Sequence, residues 1–204
     1  MTGTARFVVV EGGDATGKSM QLAHLASRLR ERGHEVVETF EPGATPLGAR
    51  LREILLHGDE PIDPVAEALL MAADRAQHVT EIVRPALARG AWVLSDRFVP
   101  SSLAYQGVGR GLGVHEVEQL NELATAGIEP DLVVVLDLSP EAARRRLGAE
   151  RDRMEGEGDA FALAVHEAYR DLARSRNWAI VDADGAPEEV ADAVWSVVCD
   201  RLET

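Results

Sequence analysis

The chain is short of several things, and each shortage removes a class of protein. It holds a single cysteine, Cys199, so no internal disulfide can form and no Cys/His cluster offers a zinc site. No apolar run approaches the roughly 20 residues of a membrane-spanning helix. Residues 1–6 are too short and polar for a secretory signal. The expectation is a cytoplasmic protein without a membrane partner. Basic residues are in deficit: 21 Lys and Arg against 35 Asp and Glu leave a net charge of −14. A nucleic-acid partner wants a basic stripe, so none is expected. An anionic ligand would need a basic pocket built against the overall field. Lysine itself is almost missing, since Lys18 is the only one and every other basic residue is arginine.

What is present is ample apolar material. Hydrophobic residues make up 46% of the 204, enough for a sizeable core. The length suits one domain, since domains commonly run to about 100–200 residues. The β-branched run 7–10 reads as a buried strand, and 35–40, 91–95, 132–138 and 178–181 read as further strands. Helical spacings lie between them. Leu22, Leu25, Ala26 and Leu29 share a face, with Gly33 at the helix end. Residues 47–56 read as a short helix. Residues 64–90 read as a longer one, with Ala66, Leu69, Leu70, Ala73 and Ala76 together on one face. Residues 114–126, 142–147, 161–176 and 187–202 complete the set, the last with Val190, Val194, Val197 and Val198 inward. Gly107, Gly109, Gly111 and Gly113 read as a loop, and 148–158, dense in charge and glycine, as a mobile one. Strands alternating with helices predict a parallel sheet covered on both faces. Ligands in such sheets bind beyond the carboxyl ends of the strands.

The first strand runs into Gly12, Gly13, Asp14, Ala15, Thr16, Gly17, Lys18 and Ser19, a full match to G-x-x-x-x-G-K-[ST] between a strand and a helix. The glycines let backbone N–H groups curl around a phosphate, and the helix that starts there adds its positive end. Lys18 reaches the β- and γ-phosphates of ATP, and the Ser19 hydroxyl can ligate Mg²⁺. The expected architecture is therefore the three-layer α/β fold of P-loop NTPases, a five-stranded parallel sheet with helices on both faces. One domain spans 1–204, with a mobile lid around 144–158. GTPases, motor ATPases and kinases share this loop. An N-K-x-D guanine signature cannot occur when Lys18 is the only lysine. A regulatory NTPase without an acceptor, and a kinase for a different nucleotide or a nucleoside, remain rival readings at this point.

The third strand ends in Asp96 and Arg97, an acidic tip suited to Mg²⁺ beside a cation facing the transferring groups. Asp137 is a second acidic strand tip. Arg52, Arg75 and Arg153 lie next to loops, and arginine forks suit the phosphate oxygens of two polyanionic substrates.

The stretch from Asp96, Arg97 and Phe98 through Ser101, Ser102, Ala104, Tyr105, Gln106, Gly107, Gly109, Arg110 and Gly111 resembles the D-R-[FY]-x-x-S-S-x-A-Y-Q-G-x-G-R-G of bacterial thymidylate kinases. Residues 72–78 are similar to that family's A-A-D-R-A-Q-H helix. Glu41, Pro42, Gly43 and Thr45 are similar to its E-P-G-G-T loop, and 152–155 to the D-R-[IL]-E of its lid. The matches keep their order over residues 7 to about 175. The resemblance implies that ATP and dTMP are the substrates, that Mg²⁺ assists, and that the chain forms a homodimer. It implies that Arg75 and Gln106 bond the thymine ring with Ser102 nearby, and that Arg52 and Arg97 hold the dTMP phosphate. Tyr105 would lie against the deoxyribose, where a ribose 2′-OH would be crowded. Asp14 and Glu41 would sit near the acceptor and its metal, with Ser19 and Asp96 as metal residues.

This chain departs from the family at two places. Met71 stands where the family has a phenylalanine stacked on thymine; methionine is polarizable and can cover a ring, though less rigidly. Phe40 stands where an arginine commonly precedes Glu-Pro-Gly. Ala15 replaces the P-loop arginine of eukaryotic-type members, which assigns the catalytic arginine to the lid. Arg144, Arg145, Arg146, Arg151 and Arg153 are available there; Arg144 is assigned to ATP and Arg153 to the transition state. A phosphate acceptor is already ionised at neutral pH, its second pKa being about 6, so no general base is required.

Overall fold

In a computed structural model the strands are β1 (Phe7–Glu11), β2 (Val36–Phe40), β3 (Trp92–Asp96), β4 (Leu132–Asp137) and β5 (Ala179–Asp182). The structure describes residues 4–58, 60–146 and 153–202. All pairings are parallel, in the order β2–β3–β1–β4–β5. β1, β3 and β4 are apolar runs buried on both faces, which is what a parallel sheet between helix layers requires. Successive side chains point to opposite faces. Val8, Val10, Leu94 and Val134 therefore meet one layer, helices α1 (Lys18–Glu31) and, at the chain's end, Pro187–Leu202. Phe7, Val9, Val93 and Val133 meet the other layer. Val190, Val194 and Val198 are buried in the first of these layers as expected, with Val197 partly so. Among the described residues no helix is long and apolar enough to cross a membrane.

The remaining helices are α2 (Pro46–Arg52), α3 (Pro64–His78), α4 (Arg84–Ala88), α5 (Val99–Ser102), α6 (Val114–Thr125), α7 (Pro140–Arg146) and α8 (Asp159–Arg176), which makes Pro187–Leu202 α9. Two expectations are corrected. Gly107 and Gly109 are not loop residues: Leu103–Gly109 is π-helical. Those glycines serve close packing, since a Cβ on Gly109 would stand 2.7 Å from the Phe161 ring of α8. The second correction concerns α3. Ala66, Leu69 and Ala73 face outward, while Glu67, Asp74, Arg75 and His78 are buried. The polar side of this helix faces inward because partners for it exist there.

Candidate active site

β1 delivers the chain to the middle of the sheet, and the loop 12–17 turns it into α1. Gly12 has φ +138°, and a Cβ there would lie 2.6 Å from the Leu136 carbonyl oxygen, so only glycine fits. Ala15 (φ +57°) and Gly17 (φ +89°) complete the left-handed turn that aims the first amides of α1 into the loop. Thr16 Oγ1 donates to the Gly13 carbonyl at 3.0 Å and fixes that turn. Lys18 Nζ donates to the carbonyls of Gly13 (2.7 Å) and Gly12 (3.2 Å), across the loop where a phosphate chain would run. Burial, together with the nearby Arg97 cation, lowers the Lys18 ammonium to about 8. Ser19 Oγ donates to Asp96 Oδ2 at 2.6 Å, so the hydroxyl and carboxylate expected at the metal are already neighbours. Asp137 is elsewhere, facing His166 (3.5 Å) and Arg170 (3.8 Å).

Arg97 sits just past the tip of β3 in a left-handed conformation, φ +73°, unusual for a side-chain-bearing residue. Its guanidinium pairs with Asp14 Oδ1 at 2.6 Å and reaches the Gly12 carbonyl, Ser101 Oγ and the Tyr105 and Tyr169 hydroxyls at 3.1–3.4 Å. Tyr105 OH also donates to Asp14 Oδ2 at 3.2 Å. Beneath this layer Glu11, fully buried at the end of β1, accepts from Phe98 N (2.8 Å), Ser101 Oγ (2.7 Å) and Tyr169 OH (2.8 Å). Burial pushes its carboxyl up, against the pull of Arg97 and of those hydrogen bonds.

One cavity of about 210 Å³ brings together Glu41, Arg52, Met71, Arg75, Arg97, Ser102, Tyr105 and Gln106, with Asp14, Asp74 and Met154 on its wall. Sequence reading had put these residues on five separated segments. A smaller cleft on the far side of Asp14, Tyr105 and Met154 is lined by Gly13, Arg144 and His166. A third, of about 350 Å³, is lined by Lys18, Ser19, Asp96, Arg97, Arg52 and Phe40. The 12–19 loop and the first cavity thus meet at Asp14 and Arg97.

Several of these residues stand differently from expectation. Arg75 is almost fully buried, and the protein holds each of its nitrogens: Nε and Nη2 on Glu41 Oε2 at 2.8 Å, Nη1 on Ser102 Oγ at 2.9 Å and on Asn121 Oδ1, Nη2 on the Phe98 carbonyl at 2.9 Å. Both Glu41 oxygens are engaged by the protein, Oε2 with Arg75 and Oε1 facing His78 Nδ1 at 2.7 Å, so its carboxylate orients Arg75. Arg52 donates to the Pro42 carbonyl at 2.7 Å and lies over the exposed Phe40 ring, 5.8 Å from its centroid. Arg153 does not line any of these clefts. Its Nε donates to the Leu55 carbonyl (2.7 Å) and its Nη2 to Glu67 Oε2 (3.0 Å), because a fully buried carboxylate at Glu67 draws cations to itself. Arg144 pairs with Asp159 at 2.6 Å on the donor-side cleft. Arg151, Asp152 and the rest of 147–152 lie outside the described residues.

Four contributors escaped the sequence reading: Glu11, Glu67, Asp74 and Asn121. Asp74 Oδ1 accepts from Gly43 N at 3.0 Å, and its Oδ2 is buried with no hydrogen bond among the described residues. Burial, and next the Glu41 charge, raise it to about 6. A charged residue closing a four-residue apolar strand was the visible signal for Glu11. The acidic members of α3 gave none, since the helix also offers a complete apolar face.

The thymidylate kinase family profile matches residues 10–194. Among curated relatives, a thymidylate kinase of Synechococcus sp. (strain JA-3-3Ab) is 51% identical over 200 residues, covering 96% of either chain. One of Clavibacter michiganensis subsp. michiganensis (strain NCPPB 382) is 50% identical over 199 residues, covering 95% of this chain and 93% of that one. One of Chromohalobacter salexigens is 47% identical over 206 residues, covering 97% and 96%.

Proposed function

The chain belongs to the thymidylate kinase family, and from that premise we infer that it transfers the γ-phosphoryl of ATP to dTMP, giving dTDP and ADP on the way to dTTP. The observation that carries the reading is the junction of the donor loop with a cavity lined by Arg75, Gln106, Tyr105 and Arg97. The triphosphate lies along 12–19 with Lys18 on its β- and γ-phosphates. The dTMP phosphate lies between Arg52 and Arg97, and the base lies against Met71, Ser102 and Gln106. Tyr105, pinned to Asp14 and to Arg97, fills the space beside the sugar. Catalysis is in-line positioning plus neutralisation of spreading charge, with no proton to abstract from the attacking oxygen. Arg97 is suited to this: it is already drawn to the boundary between the two substrates, and Asp14 holds it there.

Oxygen-only ligands fit Mg²⁺, and the hydroxyl of Ser19 and carboxylate of Asp96, 2.6 Å apart, supply that donor set. When bound, the ion supplies charge neutralisation at the phosphate oxygens. Arg144, which lines a cleft together with Gly13, serves ATP, and Arg153 acts from the Glu67 side. The chain works as a single domain whose 144–158 segment covers ATP. A homodimer fits the apolar side chains exposed on α2, α3, α6 and the π-helical turn after α2: Leu47, Val65, Leu69, Leu123 and Ile54. A cytoplasmic location fits the substrates, and the acidic surface fits a protein with no nucleic-acid partner.

The test is stoichiometry. Purified protein with Mg²⁺, ATP and dTMP should form one dTDP and one ADP per ATP lost. ATP loss without dTDP would leave the donor loop in place and remove the acceptor assignment.

A further inference from the structure

Gln106 is 1% exposed, lines the acceptor cavity, and has only one group free to meet a ligand there. Its Nε2 donates to Glu67 Oε1 at 2.9 Å. Glu67 is wholly buried and sits between two cations. Arg110 bonds it through Nε (3.2 Å) and Nη2 (2.9 Å), and Arg153 through Nη2 (3.0 Å). An ionised carboxylate has no hydrogen to give, so it takes the NH₂ end of the Gln106 amide and leaves the carbonyl Oε1 at the cavity wall. That oxygen carries no hydrogen bond among the described residues. Four residues earlier, on the helical segment that leads into this turn, the chemistry is the reverse. Ser102 Oγ accepts from Arg75 Nη1 at 2.9 Å, which leaves its O–H to donate.

The site therefore offers an acceptor at Gln106 and a donor at Ser102, since all five N–H groups of Arg75 are already engaged by the protein. An imide edge, with ring N–H beside C=O, matches that pair. Thymine and uracil present such an edge. Cytosine presents a bare ring nitrogen beside an amino group, reversed at both places.

The geometry points to Glu67 as a specificity-determining positioning residue: by fixing the orientation of the Gln106 amide it makes the acceptor site select an imide base and refuse an amidine base. This rests on the reading of the cavity as a nucleoside monophosphate site. Glu67 touches no substrate and acts through Gln106. Arg153, a lid residue by sequence, takes part by holding Glu67 in place.

The experiment is kcat/KM for dTMP and for dCMP, expressed as a ratio, in wild type and variants. Wild type must favour dTMP strongly; a wild-type ratio near one would defeat the dTMP reading itself, before any variant is considered. In Glu67→Gln the new side chain can give or accept, so Gln106 can turn over, and the ratio should fall about tenfold or more. Equal losses for both substrates, with the ratio unchanged, would mean that Glu67 is merely structural and would overturn the inference. Should Glu67→Gln not fold, Arg153→Gln at the cluster's edge carries the test. It lets Glu67 shift, so the ratio should fall about threefold, and Arg153→Lys should restore it. An unchanged ratio in Arg153→Gln overturns the inference as well.

Discussion

Lys18 shows what a single residue contributes in this chain. It is the only lysine, and burial, then the Arg97 cation, hold its ammonium down to about 8. The protonated form is the one that binds a triphosphate. ATP affinity should therefore be complete below pH 8 and lost as pH rises through it, by up to about tenfold per unit. Titration calorimetry between pH 7 and pH 9 should show the weakening, with proton uptake on binding at pH 8 and above. A flat affinity with no proton uptake would contradict it. Lys18, Ser19 and the loop glycines were legible in the sequence because a phosphate cradle is contiguous: its spacing is written in neighbouring residues. Glu67, Asp74 and Asn121 were not, because each is defined by a partner on another element. Glu67 meets Arg110 and Arg153, Asp74 meets Gly43, and Asn121 meets Arg75. Arg153 was legible as a lid arginine, while its bonds to Leu55 and Glu67 were not, for the same reason.

Among the elements, α3 is the informative one. Its spacing advertises an apolar face, and the fold leaves Ala66, Leu69 and Ala73 of that face outward while Glu67, Asp74, Arg75 and His78 lie inside. Local pattern and global fold disagree here because the inward face builds a site. By contrast, the central strands were read correctly because a fully buried parallel strand is apolar on both faces and looks alike in any fold. The helix α2 is set against α3 through Gly48. A Cβ on Gly48 would run into Asp74 Oδ1 and stand 3.0 Å from Thr45 Oγ1, the residue that caps α2. Gly48→Ala should lift α2 and, with it, Arg52 off the cavity wall. The expected cost is about 1–3 kcal/mol of stability, read as a fall in Tm of about 2–4 °C per kcal/mol. KM for dTMP should rise, with KM for ATP little changed. An unaltered Tm and KM would show that α2 moves freely.

At the scale of the whole molecule, a chain of net charge −14 draws cations to one end of its sheet to receive two polyanions. Lys18, Arg52 and Arg97 border one cleft, and the acidic groups that line it are engaged: Glu38 on Arg30, Glu41 on Arg75 and Asp96 on Ser19. The architecture fixes which groups meet, because β1 and β3 are adjacent and both end there. The measurement that bears most directly on the whole account is kcat/KM across dTMP, dUMP, dCMP and dGMP at saturating ATP and Mg²⁺. The account predicts dTMP first, dUMP next because it shares the imide edge, and dCMP and dGMP far behind. Comparable turnover of dCMP or dGMP, or ATP consumption that needs no acceptor, would contradict it.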